Sequence, residues 1–105
     1  NCLMYQRSCD MGLGVPFNIA SYSLLTALIA HSCGLRPGVF THSMGDVHVY
    51  LNHVDALQTQ LERTPGNFPT LQINCEPKNI TEYTAADIQI LGYKPQASIK
   101  MEMAI

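Results

Sequence analysis

From Cys2 to Ser8 apolar and polar residues alternate loosely, with Tyr5 among them and a polar end at Gln6-Arg7-Ser8, and this period predicts a strand. Asp10-Met11-Gly12-Leu13-Gly14 follows, and its two glycines predict a loop. Pro16 suits the first turn of a helix, and Phe17, Ala20, Leu24 and Leu28, joined by Leu25, Ile29 and Cys33, form a wide apolar stripe at three-and-four spacing. The helix should stop before Gly34, with Arg36-Pro37-Gly38 as the turn. Val39 to Tyr50 is a second extended region, interrupted at Gly45, in which Asp46 to Tyr50 alternates as a half-buried strand does. Asn52 or a neighbour caps a second helix through Val54, Leu57, Gln58 and Leu61, which Thr64-Pro65-Gly66 ends. Short extended pieces are expected near Thr70–Ile73, Ile88–Leu91 and Ile99–Met103, with a helical turn at Thr84–Asp87. Helices among irregularly spaced strands predict an α+β class.

At 105 residues the chain makes one domain or part of one. Charged residues are only 13% of it, where a soluble domain carries about 25%. So small a chain buries about two-thirds of its unfolded surface and should carry more charge than average, so the deficit predicts that another surface covers much of this one. The chain begins at Asn1, not Met, in what reads as a strand already under way, so a fragment of a larger, oligomeric protein is expected. Six scattered Lys and Arg against eight Asp and Glu form no cluster that could track a phosphate backbone, which argues against a general nucleic-acid surface. The stretch Phe17 to Cys33 is broken by Asn18, Ser21, Ser23, Thr26 and His31, too polar for a bilayer span of roughly 20 apolar residues. Cys2, Cys9, Cys33 and Cys75 show neither CxxC pairs nor a zinc spacing; they read as reduced, packing thiols of a reducing compartment, with no metal. Asn79-Ile80-Thr81 matches a glycosylation acceptor by chance.

The run Tyr5-Gln6-Arg7-Ser8-Cys9-Asp10-Met11-Gly12-Leu13-Gly14-Val15-Pro16-Phe17-Asn18-Ile19-Ala20-Ser21-Tyr22 closely resembles the central signature of the thymidylate synthase family. Gly45-Asp46-Val47-His48-Val49-Tyr50-Leu51-Asn52-His53, Phe68-Pro69 and Lys100-Met101-Glu102-Met103-Ala104-Ile105 agree in order, so the resemblance covers essentially the whole chain. It implies the C-terminal portion of that fold, a mixed sheet packed with a long buried helix. It also implies a cytoplasmic homodimer, with nuclear or organellar pools compatible, that methylates dUMP to dTMP with methylenetetrahydrofolate as carbon donor and reductant. The family's nucleophilic cysteine sits in a Pro-Cys-His segment upstream of the Tyr-Gln-Arg-Ser motif, and none of the four cysteines here has that context. The phosphate-binding arginines given by the second subunit lie upstream as well. This chain alone is therefore expected to be inactive; the competing reading is a non-catalytic nucleotide-binding or interaction fragment.

Residue by residue, the resemblance assigns Arg7 and Ser8 to the nucleotide phosphate, with Arg7 also near the catalytic sulfur, where a fixed positive charge lowers a thiol's pKa. Without it, Arg7 would read as a strand-end salt bridge. Asn18 is the expected base reader, its amide offering a donor and an acceptor to uracil O4 and N3–H; the related dCMP hydroxymethylases carry Asp there. Unaided, an Asn in a first helical turn is a cap. His48 and Tyr50, two apart on one strand and so on one face, are assigned to the 3'-hydroxyl, and Gln6 to orienting the nucleotide and its waters. On the folate side stand Asp10 against the pterin, Gly14 as a close-approach glycine, Leu13 and Phe17 as apolar walls, and Met103, Ala104 and Ile105 as a tail folding over the ligands. Arg7, Asn18 and Asp10 are the expected catalytic set. Cys9, Ser43-Met44 and Gly66-Asn67 depart from the commoner family pattern without touching a ligand, and leave open a parent fused to dihydrofolate reductase.

Overall fold

The computed structural model describes residues 1–103; Ala104 and Ile105, both assigned to the tail, lie outside the described residues. Strand β1 (Cys2–Asp10) leads through a tight turn into helix α1 (Gly14–Ser32), and the chain returns along β2 (Phe40–His48), parallel to β1 with Cys2 opposite Phe40 and Asp10 opposite His48. A short 3-10 turn (Leu51–His53) runs into α2 (Val54–Leu61). Strands β3 (Thr70–Ile73) and β4 (Ile88–Leu91) pair antiparallel, with Thr70 opposite Leu91, and two 3-10 turns (Ile80–Glu82 and Ala85–Asp87) connect them. Helices and strands are mixed as expected, but the strands among the described residues form two separate pairs, not one mixed sheet.

α1 ends as its sequence predicts. Gly34 takes φ +65°, and the amides of Gly34 and Leu35 close on the carbonyls of His31 and Ala30, satisfying two groups the helix end would otherwise orphan. The expectation that this helix is buried is not met: only Val15 and Ala30 are buried, while Phe17, Ile19, Tyr22, Leu25 and Ile29 remain exposed. The two-stranded sheet covers one side of a helix that is apolar on most sides, and the turn near Ile80–Glu82 reaches only its C-terminal end, where His31 meets Tyr83 and Ser32 donates to the Lys78 carbonyl. β1 likewise exposes Leu3 and Tyr5.

β2 runs through Gly45 without the expected interruption. A Cβ there would stand 2.7 Å from the Tyr5 hydroxyl and 2.9 Å from the Arg7 carbonyl, so the glycine admits a neighbour where a break was expected. The strand stops at His48, so Tyr50 lies beyond it, not on it; His53, the neighbour of Asn52, stands at the start of α2, but no side chain caps it. Ile99–Met103 forms no strand. Asn79, set aside as a chance sequence match, instead caps the turn Ile80–Glu82, its Oδ1 accepting from the Thr81 amide at 3.1 Å.

Asp87 fixes the connection before β4. Its Oδ2 accepts from Lys78 Nζ at 2.8 Å, from the Thr84 amide at 2.7 Å and from the Thr84 hydroxyl at 3.0 Å. The Lys78 bond foremost, then the Thr84 amide, holds the carboxyl at about 2, below its usual 3.8. Because the folded value is the lower one, the ionised form is the stabilising one. In a full-length protein carrying this chain, the Tm advantage over Asp87→Asn is expected in full above pH 3.8 and should fade as the pH falls to about 2. A pH-independent difference would contradict this.

Candidate active site

Parallel pairing points the C-terminal ends of β1 and β2 the same way, and the N-terminus of α1 arrives at that end. In sheets with helical crossovers this is where ligands bind. The turn is built on Asp10. Its Oδ1 accepts from the Gly12 amide at 3.1 Å and its Oδ2 from the Gly14 amide at 3.2 Å, so a carboxylate satisfies the amides at the start of α1, where charge favours an anion. The side chain keeps 24% of its exposure, and each oxygen retains a lone pair for a further donor.

One turn into α1, Asn18 faces the strand. Gln6 Nε2 donates to Asn18 Oδ1 at 2.9 Å and to the Ser8 carbonyl at 2.9 Å, while His42 Nε2 donates to Gln6 Oε1 at 2.9 Å. The chain from His42 through Gln6 to Asn18 therefore fixes which end of the Asn18 amide turns toward β1, leaving Nδ2 for another partner. His42 was not singled out in the sequence; it sits on β2 as an ordinary core histidine would, and the only signal for it is the parallel register that places Met4 opposite it.

Arg7 follows Gln6 on an extended strand and so projects to the other face, with Tyr5. It is exposed, and no carboxylate among the described residues pairs with it. Ser8 is exposed beside it. His48 Nδ1 donates to the Asp46 carbonyl at 3.2 Å, which leaves Nε2 as an acceptor, and its ring meets Tyr50 edge-on at 5.3 Å. The two stay neighbours although the strand ends between them. Tyr50 in turn meets His53 at 5.6 Å.

The apolar residues assigned to the folate side are less gathered. Leu13 is half-buried just before α1, but Phe17 is 73% exposed and Met103 79% exposed. Met11, beside Asp10, instead opens on an apolar cleft of about 330 Å³ with Val49, Val54, Leu57 and Leu61, which no sequence motif marked. Of the thiols, Cys9 is wholly buried with Sγ donating to the Gln6 carbonyl at 3.4 Å, which bars access to it, and burial followed by the Asp87 charge pushes Cys75 up, which favours its protonated form. No cluster of three or more His, Cys, Asp or Glu able to hold a metal exists among the described residues, and no helix there is long and apolar enough to cross a membrane.

Comparison with known proteins adds the following. The sequence matches the family described as thymidylate synthase over residues 1–105. It is 59% identical to the bifunctional dihydrofolate reductase-thymidylate synthase of Leishmania major, over 100% of this chain and 20% of that protein. It is 57% identical to the thymidylate synthase of Homo sapiens and 59% identical to that of Herpesvirus ateles, over 100% of this chain and 34% and 36% of those proteins. The chain thus spans between a fifth and about a third of the length of the curated relatives it matches.

The two glycines of the turn differ in a way that can be tested. A Cβ on Gly12 would stand 2.5 Å from Nδ1 of the wholly buried His53 ring, whereas one on Gly14 would meet nothing closer than 3.4 Å. Gly12→Ala is expected to cost about 1–3 kcal/mol through overpacking. Gly14→Ala, at a helical position, should be neutral or stabilise by up to about 1 kcal/mol. Thermal unfolding of the two variants in the full-length protein checks the order; equal loss would contradict it.

Proposed function

The chain belongs to the thymidylate synthase family, and from that premise we propose that it supplies most of a dUMP site and part of a folate site in an enzyme that methylates dUMP to dTMP. The observation that carries this reading is the bond from Gln6 to Asn18. With one lone pair of Oδ1 held by Gln6, the other accepts from uracil N3–H while Nδ2 donates to O4, and cytosine presents the opposite pattern at that edge. The guanidinium of Arg7, which no carboxylate among the described residues pairs, and the Ser8 hydroxyl bind the phosphate, and the accepting Nε2 of His48 with the Tyr50 hydroxyl binds the ribose 3'-hydroxyl.

On the folate side the residues fit the co-substrate. Asp10 keeps lone pairs for the pterin donors, and Gly14 is not required by its protein neighbours, which suits a ligand that approaches the backbone closely. Bound methylenetetrahydrofolate supplies the one-carbon unit and the hydride. The nucleophile is a cysteine from outside residues 1–105: none here follows a proline, Cys9 is inaccessible, and Cys75 is held as a thiol. Arg7 favours the thiolate of that cysteine by its charge. The low charge content and the exposed faces of β1 and α1 support a subunit covered by the rest of the enzyme and by a second copy in a homodimer.

Residues 1–105 alone are expected to form no dTMP, and measurable turnover would refute the division of labour. In the complete enzyme, Asn18→Asp should shift the dUMP-to-dCMP ratio of kcat/KM by at least about tenfold toward dCMP. An unchanged ratio would show that Asn18 does not read the base.

A further inference from the structure

His53 is wholly buried at the junction between the 3-10 turn and α2, and no role above uses it. Its Nε2 is hydrogen-bonded to the backbone carbonyl of Glu102, which can only accept, so this nitrogen carries the proton. Among the described residues its Nδ1 has no hydrogen-bond partner, and it faces the Asp10 carboxylate, 3.9 Å from Oδ1. The Gly12 backbone lies over Nδ1 too closely for any side chain, and the Met101 sulfur closes the same space. Tyr50 meets the ring edge-on. One imidazole thus touches the Asp10 turn, the Tyr50 ring and the C-terminal segment, three parts that are distant in sequence.

We infer that His53 is a positioning residue that clamps the C-terminal segment at Glu102 against the Asp10 turn, so that the folate-binding carboxylate and that segment are set together. The inference rests on the reading of Asp10 as a folate contact. The ring is held on both sides: turning it to pair Nδ1 elsewhere gives up the Glu102 bond, and shifting it sideways meets Gly12. Loosening the clamp therefore acts on the folate side first. Of the nucleotide contacts, Arg7, Ser8 and Asn18 belong to β1 and α1 and make no hydrogen bond to His53 among the described residues, while Tyr50 touches the ring edge-on, which is why a small change in dUMP affinity is allowed.

Two substitutions in the full-length enzyme separate the clamp from a general packing role. His53→Gln keeps an N–H at the reach of Nε2, whereas His53→Asn keeps an amide on the Asp10 side but falls short of Glu102. Relative to wild type, His53→Asn should raise folate KM and lower kcat by about tenfold each, change dUMP affinity by less than about threefold, and speed amide exchange across residues 100–103 at least about tenfold; His53→Gln should recover most of each loss. Exchange is read without turnover, so a wild-type protein that forms no dTMP would sink the functional reading while leaving the clamp testable. Unchanged exchange in His53→Asn, equal loss of folate and dUMP binding, no rescue by His53→Gln, or failure of both variants to fold would each overturn the inference.

Discussion

The carboxylate of Asp10, accepting the amides of Gly12 and Gly14, is the constraint on which the arrangement depends. A strand running into a helix must reverse direction within a few residues, and the first amides of the helix must find partners. Asp10 does both at once, as the last residue of β1 and the acceptor for the start of α1. With the turn fixed, Asn18 arrives one helical turn later beside Gln6, and the parallel return of β2 brings His42 against Gln6 and His48 opposite Asp10. Without that anchor, these side chains would be polar residues on separate elements.

The same carboxylate joins two roles. A loop aspartate can cap a helix or contact a ligand, and the geometry permits both, because each oxygen spends one lone pair on the backbone and keeps another. Substitutions at Asp10 therefore confound folding with binding. Gly14, whose neighbours tolerate a methyl group, probes the ligand side more cleanly.

Periodicity made β1, α1, α2, β3 and β4 legible because each combines a local pattern with its own stop signal, such as Gly34 in the left-handed region after α1. The continuity of β2 through Gly45 was not legible, since it depends on Tyr5 and Arg7, about forty residues earlier in the chain, crowding that position. The burial of α1 was overestimated because an apolar stripe says that a surface wants cover without saying which chain provides it; the 13% charge content carried that information better. In the site, Gln6, Asp10, Asn18, His48 and Tyr50 stood out through a motif resemblance, not through spacing. His42, half-buried, and His53, wholly buried, were missed because such a histidine has no local signature, and their partners, Gln6 and Glu102, are brought to them only by the fold.

The most direct test of the nucleotide site is a crystal structure of the complete enzyme with dUMP and a folate analogue bound. Asn18 should sit with Oδ1 shared between Gln6 Nε2 and uracil N3–H and with Nδ2 on O4, all within about 3.2 Å, and Asp10 should contact the pterin while still accepting from Gly12 and Gly14. A pyrimidine read by other residues, or an Asn18 still turned only toward Gln6 while dUMP is bound, would contradict it.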